Sequence, residues 1–457
     1  MIVGKFAFIL VAAIASAASA AAGAAQSPLD KGHRILIERG LQIQALVFSD
    51  SPFDLRQMRE AGFTAVNFGW SPKMSLLGPP PGFAWTKWTK GADDVDLPPD
   101  EKPYAANLIS LALADEQNLN EASVRAAAAQ WFGACRAKFP NAILYTNQYG
   151  GQVTNENMGA YMSACKPDML CFDTYPFLKD GPAYGSPTNW YGDAQRYRKL
   201  SLGLGVPYGL WTQTFHGEDK YRDPSESEMR LNQFAAWTFG YKLVCAFTYN
   251  AGSSNLFKGP GDHNPKDAFR QLAKINRESS NLGPALVRLK SSDVRIILGQ
   301  RIDPTTKQPA DNARPIDVEV WRFGENDPYF RGHTIENIGT KNDKLRGDVL
   351  IGWFKPLEPG DPPEEIYFIV TNGLTDRNAA GPSCRQRITL NFHFKKSGIK
   401  GVQRLSRSSG KVEDVPLKAM EKDPGRYVMT LELDGGTGDL LKFNTGAPFV
   451  GVSPAAR

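Results

Sequence analysis

The sequence lacks long runs of one charge, and its net charge of +5 is small for a chain of 457 residues. Lysine and arginine are scattered along it, so we expect no nucleic-acid partner. Beyond the N-terminal segment, no apolar run is long enough to span a bilayer. Neither a P-loop nor a G-x-G-x-x-G sequence after the first predicted strand is present, so the sequence predicts no nucleotide site.

Cysteine is also scarce. The five cysteines are Cys135, Cys165, Cys171, Cys245 and Cys384. No C-x-x-C pair occurs, and we expect no metal site and no cofactor. An odd number leaves at least one thiol free, even in an exported protein where disulfides form. Cys171 and Cys245 lie in apolar segments typical of core strands, whereas Cys135 and Cys165 lie near the ends of successive predicted helices and could pair.

The N-terminal segment has the pattern of a secretory signal. Lys5 provides its positive charge, residues 6–14 are apolar, and Ala18-Ser-Ala20 supplies a small-residue cleavage pattern. An uncleaved membrane anchor is the alternative, but the apolar part is short and runs into alanine and glycine. We therefore predict that residues 1–25 are removed, that the mature chain has no stable membrane insertion, and that the protein is secreted or periplasmic.

From residue 41 onward one unit recurs, in which an apolar strand, a loop and a helix precede a glycine or proline and the next strand. Seven strands are clear, and an eighth is expected at residues 83–88, inside a long loop that contains Trp85 and Trp88. Strands and helices that alternate over roughly 240 residues are typical of a (β/α)8 barrel. An open doubly wound sheet is the alternative. We predict an α/β chain with a TIM barrel at residues 26–283.

Local signals predict where the helices of this barrel begin and end. Ser51-Pro52, Asn120 and Asn264-Pro265 are expected to begin helices, and Ser225-x-x-Glu228 is a capping box. Leu282-Gly-Pro284 is expected to end the last helix, because proline cannot continue the backbone hydrogen bonding.

After Pro284 apolar residues alternate with polar ones, which indicates strands in place of helices. Four apolar side chains at alternate positions of one predicted strand share a face: Ile388, Leu390, Phe392 and Phe394. Another strand is predicted at residues 316–321. Residues 284–450 are therefore predicted to form an all-β sandwich domain, and residues 451–457 a tail.

Two adjacent carboxylates end the apolar run Leu108–Ala114, which is typical of a buried parallel strand. They are Asp115 and Glu116, and a third acid, Asp173, ends another buried strand within residues 169–177. Catalysis in barrel enzymes takes place at the carboxyl ends of the strands, and carboxylates there are costly to desolvate. The alternative is that Asp115 caps a loop and Glu116 is solvated, but the recurrence favours a site.

Aromatic and amide side chains are expected at the same end of the barrel. The aromatic set is Trp70, Tyr149, Tyr175, Trp211, Phe215 and Tyr249, and the amide set is Asn147, Gln148, Gln213 and Asn250. Sugars present apolar C–H faces ringed by hydroxyl groups, so their sites combine aromatic faces with hydrogen-bonding groups. We therefore predict a carbohydrate partner bound by these residues, with His216 as a further contact.

Four short motifs carry a resemblance to a known group of enzymes. They are Asp115-Glu116, Phe172-Asp-x-Tyr-Pro-Phe177, Ala246-Phe-Thr-Tyr249 and Leu431-x-Leu-x-Gly-Gly-x-Gly-Asp-Leu-Leu441. The first three resemble strand ends of barrels distantly related to family 42 β-galactosidases, and the last resembles the final hairpin of the β-domain that follows such barrels. The resemblance covers most of residues 35–445 and implies a bacterial glycoside hydrolase.

Two departures from that group limit what the resemblance implies. Its retaining members place asparagine before the acid/base glutamate, where this chain has Asp115, and they carry a nucleophilic glutamate at the seventh strand end. Here Gln213 and Asn250 stand at the late strand ends. The retaining mechanism with two glutamates therefore does not transfer as a whole.

Breaking a glycosidic bond takes one carboxyl group to protonate the leaving oxygen and another to act as nucleophile or base. We predict that Glu116 is the acid, because the neighbouring Asp115 raises its pKa. Asp173 is the predicted nucleophile or base, and Asp115 is the alternative partner or an orienting group. Two other functions stay open, namely a carbohydrate-binding barrel without turnover, which the missing late glutamate favours, and a polysaccharide lyase.

Overall fold

The computed structural model describes residues 29–48, 53–70, 72–181, 187–217, 220–259, 263–325, 328–358, 366–395, 397–421 and 423–453. The predicted signal at residues 1–25 and the Ser51-Pro52 pair lie outside the described residues. No described helix is both long enough and apolar enough to cross a membrane.

Eight parallel strands form a closed barrel in which the last strand pairs with the first. The strands are β1 (Gln42–Val47), β2 (Ala65–Phe68), β3 (Trp85–Thr89), β4 (Leu108–Asp115), β5 (Ile143–Tyr149), β6 (Leu170–Asp173), β7 (Tyr208–Gln213) and β8 (Leu243–Phe247). The helices are α1 (Lys31–Arg39), α2 (Leu55–Glu60), α3 (Ala122–Lys138), α4 (Asn155–Cys165), α5 (Thr188–Leu204), α6 (Glu226–Phe239) and α7 (Asp267–Leu286). The predicted barrel is confirmed, with β3 as its eighth strand, and the open doubly wound sheet is wrong.

Helix α1, which sequence analysis did not predict, closes the end of the barrel where the strands begin. Its Ile35 and Leu36 share one cluster with residues at or next to strand starts, namely Ile143, Met169 and Leu243. A Cβ atom on Gly32 would lie 2.2 Å from the carbonyl oxygen of Asp168, so only glycine permits this close approach. A ligand therefore reaches the barrel from the opposite end, where the strands terminate.

The sequence signals at the ends of α7 are misleading. This helix begins at Asp267, later than predicted, and continues through Pro284 to Leu286. The predicted end at Pro284 is wrong, because a proline near a helix end removes one hydrogen bond without breaking the last turn. The capping box of α6, formed by Ser225 and Glu228, is confirmed.

Two helices begin at other caps than the sequence predicts. Helix α2 begins after Asp54, whose side chain accepts hydrogen bonds from the first turn. Asn120 does not cap α3, which begins at Ala122. Its amide nitrogen donates to the Gln152 carbonyl oxygen at 2.8 Å, and its oxygen accepts from the Thr154 N–H at 3.1 Å. Asn120 therefore ties the loop after β4 to the loop after β5.

Two sheets follow the barrel and pack face to face. The larger sheet contains, in spatial order, β12 (Glu319–Val320), β9 (Leu289–Ile297), β14 (Val349–Pro356), β15 (Tyr367–Asn372), β21 (Gly438–Phe443), β17 (Val402–Leu405) and β18 (Val412–Val415). The smaller sheet contains β13 (Phe330–Asn337), β16 (Gln386–His393), β20 (Arg426–Leu433) and β19 (Lys418–Ala419). A separate hairpin pairs β10 (Gln300–Ile302) with β11 (Pro309–Asp311).

The two sheets enclose a second hydrophobic core, which confirms the predicted sandwich. Its large aromatic side chains are Trp353, Phe368 and Phe443 from the larger sheet and Phe330 and Phe392 from the smaller sheet. The opposite face of the larger sheet, including Leu350 and Phe354, belongs to the core of the barrel. There a Cβ atom on Gly352 would lie 2.1 Å from the carbonyl oxygen of Thr238 in α6, so the contact between the domains is close.

The sequence predicted one buried strand face of the sandwich correctly, but it predicted another strand to be longer than it is. The four apolar residues of the shared face, Ile388, Leu390, Phe392 and Phe394, are all buried. In the segment 316–321 only Glu319–Val320 pair with β9. The Val318 N–H bonds to the Pro315 carbonyl oxygen in a turn, and Ile316 is 76% exposed, so the prediction of a longer strand is wrong. Because α7 extends to Leu286, we propose that the domains meet at residues 287–288.

All five cysteines are free and buried, so the expected pairing of Cys135 with Cys165 is wrong. Cys135 packs in the main core, and the Cys165 sulfur donates to the Arg125 carbonyl oxygen at 3.8 Å. Burial raises the pKa of the Cys135 thiol to about 12 and that of Cys165 to about 11. Such thiols are structural and chemically inert.

Candidate active site

The backbone is irregular where β4 reaches the open end of the barrel. Ala112 pairs with Tyr145 and Asp115 with Asn147, so β4 carries one more residue than β5 across this interval. On either side of Asp115, Ala114 has φ 31° and Glu116 has φ 45°, in the left-handed region. Residues other than glycine are disfavoured there by on the order of 1 kcal/mol or more. Such local strain concentrates at functional sites, and here it turns two carboxylates into the barrel mouth.

Glu116 is held in this conformation by groups from β5 and the loop after it. Its N–H donates to the Asn147 carbonyl oxygen at 3.2 Å. Its carbonyl oxygen accepts from the Gln152 amide at 2.6 Å, and the oxygen of that amide accepts from the Tyr149 N–H at 3.2 Å. Sequence analysis missed Gln152, because a loop glutamine gives no signal until the strand register is known.

The structure brings Asp115, Glu116 and Asp173 into one cluster around Asn147. The Asn147 amide nitrogen donates to Asp115 at 3.1 Å and to Oδ2 of Asp173 at 3.2 Å. The Tyr175 hydroxyl donates to the same Asp173 oxygen at 3.4 Å. Glu116 and Asp173 lie within hydrogen-bonding reach of each other. Five of the predicted site residues, with Tyr175 among them, therefore form one contiguous group.

The cluster retains protons more strongly than isolated carboxyl groups do. Burial, followed by the charges of Glu116 and Asp115, raises the pKa of Asp173 well above its usual range. Partial burial and the charge of Asp115 raise the pKa of Glu116, and burial raises the pKa of Asp115. Among the described residues no donor reaches Oδ1 of Asp173. This oxygen is therefore available to a further hydrogen-bond partner.

Three tryptophans form a row from the solvent to the barrel interior. Trp70 is 42% exposed and contacts Trp88 edge to face at 5.8 Å between ring centroids. Trp88 contacts Trp211 at 5.9 Å, and its indole N–H donates to Asn67 at 2.6 Å. Trp211 is buried beside the cluster in register with Asp173. Of the predicted contacts, Trp70 presents an accessible ring and Trp211 forms the wall behind it.

Two more of the predicted contacts lie at the rim. Tyr149 is 44% exposed at the end of β5, where it pairs in register with Asp173. His216 is about half exposed and hydrogen bonds Asp223 through Nδ1 at 2.9 Å. Together with Phe215, Lys220, Tyr221, Phe247 and Ser253, His216 lines a cavity of about 650 Å³. The Tyr175 ring packs on Phe215 and Phe247 at 5.0 and 5.6 Å, which joins this cavity to the cluster.

Gln213 holds two loops together in place of contacting a ligand. Its amide nitrogen donates to the carbonyl oxygens of Phe177, Phe215 and Arg222 at 2.9–3.3 Å. Its oxygen accepts from the Phe177 N–H at 3.0 Å. With every polar atom of this buried amide occupied, the predicted contact with substrate is not available in this structure.

Three other predicted contacts lie away from the open cleft. Tyr249 is buried among aromatic residues of the helical layer, namely Phe63, Phe257 and Phe269. Gln148 is buried and shares the register of Phe172, which stacks on Tyr197 of α5 outside the barrel. Asn250 is buried just beyond β8. We predicted these residues as contacts because each lies at or just beyond a strand end. The direction of each side chain, however, depends on pleat and loop geometry that the sequence does not reveal.

Comparisons with known proteins place the chain beside glycoside hydrolases at low identity. No protein-family model matches it, and no curated protein matches it. Among solved structures it is similar to a β-galactosidase from the psychrophilic Marinomonas ef1, with 11% identity over 53% of this chain and 60% of that chain and a TM-score of 0.37. The chain thus spans three fifths of the length of that enzyme.

Two further solved structures cover more of their own chains. For a GH128 endo-β-1,3-glucanase from Sorangium cellulosum, identity is 12% over 50% of this chain and 97% of that chain, with a TM-score of 0.34. For a family 51 α-L-arabinofuranosidase from Bifidobacterium longum, identity is 8% over 91% of this chain and 96% of that chain, with a TM-score of 0.39. The resemblance to family 42 stays a prediction, and the chain is similar to glycoside hydrolases of several kinds.

Proposed function

We propose that the protein is a glycoside hydrolase in which Glu116 and Asp173 form the catalytic acid–base pair. The observation that carries this proposal is the pair itself. Two carboxyl groups with raised pKa values lie within hydrogen-bonding reach of each other at the open end of a barrel, one of them at a strained strand end. Perturbed carboxyl groups in a cleft are typical of catalytic sites.

The exposure of the two groups supports separate roles for them. Glu116 is exposed and reaches the cleft, so it is the group that protonates the leaving glycosidic oxygen as the bond to the anomeric carbon breaks. Asp173 is buried and supplies the shared proton through its hydrogen bond to Glu116. As the resulting carboxylate, it either attacks the anomeric carbon or takes a proton from the attacking water. Asp115 raises the pKa of Glu116 by its charge.

The aromatic rings at the cleft favour a sugar as the substrate. Tyr149 is exposed in register with Asp173, and Trp70 is exposed at the outer end of the tryptophan row, so both can offer ring faces to sugar C–H groups. The cavity beyond Tyr175 leaves room for a second sugar unit. We therefore propose an oligo- or polysaccharide substrate that spans from Trp70 to the cavity beside His216. Export of the protein, predicted from residues 1–25, belongs to the same proposal.

One observation favours a second candidate, a carbohydrate-binding protein without turnover. Carboxyl groups stand about 5–5.5 Å apart in retaining enzymes and about 6.5–9.5 Å apart in inverting enzymes. Glu116 and Asp173 lie in direct hydrogen-bonding reach, which is closer than either arrangement. Hydrolysis therefore requires Glu116 to turn away from Asp173 when the sugar binds.

A panel of defined oligosaccharides separates the two candidates. New reducing ends and binding heats are measured with the wild-type protein, Glu116→Gln and Asp173→Asn. The proposed hydrolase releases reducing ends from at least one glycan, and both variants lose that release while they retain binding. Binding without release by the wild-type protein would establish the second candidate.

A further inference from the structure

The three carboxyl groups of the site have no cation to balance them. Among the described residues, no lysine, arginine or histidine makes an ion pair with Asp115, Glu116 or Asp173. The undescribed gaps in the barrel are residues 49–52, 71, 182–186, 218–219 and 260–262, and none of these contains lysine, arginine or histidine. The undescribed gaps of the barrel therefore contain no candidate counter-ion for the three acids.

Elsewhere the chain provides cations for five of its buried acids. The pairs are Glu101 with Lys87 at 2.6 Å, Asp168 with Lys31 at 2.9 Å, Glu228 with Arg222 at 2.5 Å, Asp376 with Lys341 at 3.1 Å and Asp439 with Arg404 at 3.2 Å. Buried charges are normally paired, because desolvating a lone charge costs several kcal/mol or more. The lack of a partner at the site is therefore a local exception within one molecule.

Buried acceptor atoms without donors lie beside the cluster. Asn147 is 1% exposed, and its amide nitrogen bonds both Asp115 and Asp173, but its oxygen has no donor among the described residues. Asp173 is 7% exposed, and its Oδ1 likewise has no donor among the described residues. Buried polar atoms are nearly always satisfied, so these atoms point to a ligand that brings hydrogen-bond donors.

We propose that the substrate carries a free amine, as an amino sugar does, and that its ammonium group binds between Asp115, Asp173 and the Asn147 oxygen. This inference rests on the proposed function, since it names the sugar class for that site. An ammonium group brings three donors and one positive charge, whereas a hydroxyl brings one donor and no charge. Among the described residues no group of acids, histidines or cysteines is arranged to hold a metal ion, so an organic cation fits the cluster better.

The aromatic rings near the site favour a sugar as the molecule that carries the amine. Tyr149, in register with Asp173, and Trp70, at the outer end of the tryptophan row, are exposed aromatic residues that suit the C–H face of a pyranose. A linear polyamine or a lysine side chain carries the same ammonium chemistry but lacks such a face. The Lys220 ammonium, which lies over the Tyr221 ring at 4.9 Å, is held by that ring and Tyr149 and does not pair with the three acids.

The test compares oligosaccharides that differ only at the amine. Calorimetry at a mildly acidic pH, where sugar amines are largely protonated, is carried out with β-1,4-linked glucosamine oligomers, α-1,4-linked galactosamine oligomers, and the fully N-acetylated oligomers of equal length. Spermidine is a fourth probe. We expect at least one amine oligomer to bind about tenfold or more tightly than its acetylated form, and added salt to reduce this difference. Equal affinities for the free and acetylated forms, or tighter binding of spermidine, would overturn the inference.

Variants assign the preference to the cluster. In Asp115→Asn the tenfold preference should shrink, because the variant loses a charge that binds the ammonium group. The matched control is Asp168→Asn, an acid that pairs with Lys31 far from the cleft, and it should keep the full preference. Equal preference in both variants would also overturn the inference. If Asp115→Asn unfolds, Asp173→Asn replaces it in the comparison.

The outcomes for the inference and for the proposed function are separable. Preferential binding of an amine oligomer without new reducing ends supports the inference and contradicts the hydrolase. Release of reducing ends from neutral or acetylated oligomers, without preference for the amine, supports the hydrolase and contradicts the inference.

Discussion

The buried carboxyl group at the barrel mouth differs from carboxyl groups near the contact between the barrel and the sandwich in the charge of its partners. Near that contact, Glu278 forms an ion pair with Arg230 at 2.7 Å, and Asp439 pairs with both Arg404 and Arg407. At the mouth, the donors that reach Asp173 among the described residues are the neutral groups of Asn147 and Tyr175.

The difference separates charges that hold the fold together from charges that await a ligand. A buried acid with a guanidinium partner keeps its charge and fixes the orientation of two elements. A buried acid without one has a raised pKa and holds a proton, which is what a catalytic acid needs near neutral pH. Substitutions in the two regions should therefore have opposite effects on activity and stability.

The largest effect is expected from Asp173→Asn. Turnover of a susceptible glycan should fall by about 10²–10⁴, the usual contribution of acid–base catalysis, while the melting temperature stays equal or rises because the amide cannot ionise in its buried position. Kinetics and thermal unfolding are measured together. Asp168→Asn is the control and should do the reverse, since it breaks the pair with Lys31 and leaves the site intact. Loss of stability without loss of turnover in Asp173→Asn would make Asp173 structural.

Arg230→Met should produce the largest loss of stability. Arg230 is buried between Glu226 at 3.0 Å and Glu278 at 2.7 Å, so its removal leaves two acids without a cation. We expect destabilisation of about 3–5 kcal/mol in denaturant unfolding, with turnover unchanged where the protein is folded.

The matched control is Arg387→Met on the exposed face of the smaller sheet. Arg387 also contacts two acids, Glu336 at 2.7 Å and Glu432 at 2.9 Å, but it is exposed. Its loss should cost much less stability than the loss of Arg230, because solvent screens exposed pairs. Equal losses from the two arginines would remove the distinction between buried and exposed pairs.

Gln152→Glu tests whether the strained Glu116 backbone needs the Gln152 clamp, the side chain that bonds both Glu116 and Tyr149. The variant loses the N–H donated to the Glu116 carbonyl oxygen but can still accept from the Tyr149 N–H. We expect about a tenfold lower kcat with little change in KM, since about 1.4 kcal/mol of positioning is lost. Gln117→Glu is the control, because its amide donates to the neighbouring Asp115 carbonyl oxygen at 3.3 Å in an exposed position. Identical kinetics in the two variants would show that the clamp has no role.

The smallest effect is expected in the pH dependence of stability, which should change in opposite directions in two variants. Because the folded-state pKa of Asp173 is raised, its contribution to stability begins to fall as the pH rises through the unfolded value of about 3.9 and is smallest above the folded-state pKa. Stability from this group therefore falls as pH rises, and Asp173→Asn should gain relative to wild type over that range. The hydrogen bond from the Arg404 side chain lowers the pKa of Glu413, so the contribution of Glu413 to stability is lost as the pH falls. Glu413→Gln should remove this pH-dependent loss. Melting temperatures measured against pH would contradict this if both variants shifted in the same direction.

The sequence predicted the parts of this molecule that follow from periodicity. Apolar runs gave the barrel strands, and the rule that barrel sites lie at strand ends joined Asp115, Glu116 and Asp173 before any contact was known. Alternation gave the buried face of β16. These features depend on neighbours in sequence or on a general property of parallel barrels.

What the sequence did not predict depends on geometry across strands. The bulge at Ala114, the bridging Asn147 amide and the Gln152 clamp depend on the β4–β5 register. Tyr249 and Gln213 also follow strand ends, but one packs outward and the other bonds loop carbonyls. Short-range signals likewise failed for Asn120, because its side chain bonds a distant loop in place of its own helix.

The central claim, that Glu116 protonates the leaving group, is tested most directly by two substrates with different leaving groups. Glu116→Gln keeps the size of the side chain but cannot donate a carboxyl proton. With a poor leaving group, turnover should fall by about 10²–10⁴ relative to wild type, whereas an activated leaving group, which needs little protonation, should be affected much less. An equal fall on both substrates with a lowered melting temperature, or unchanged turnover of the poor leaving group, would contradict the account.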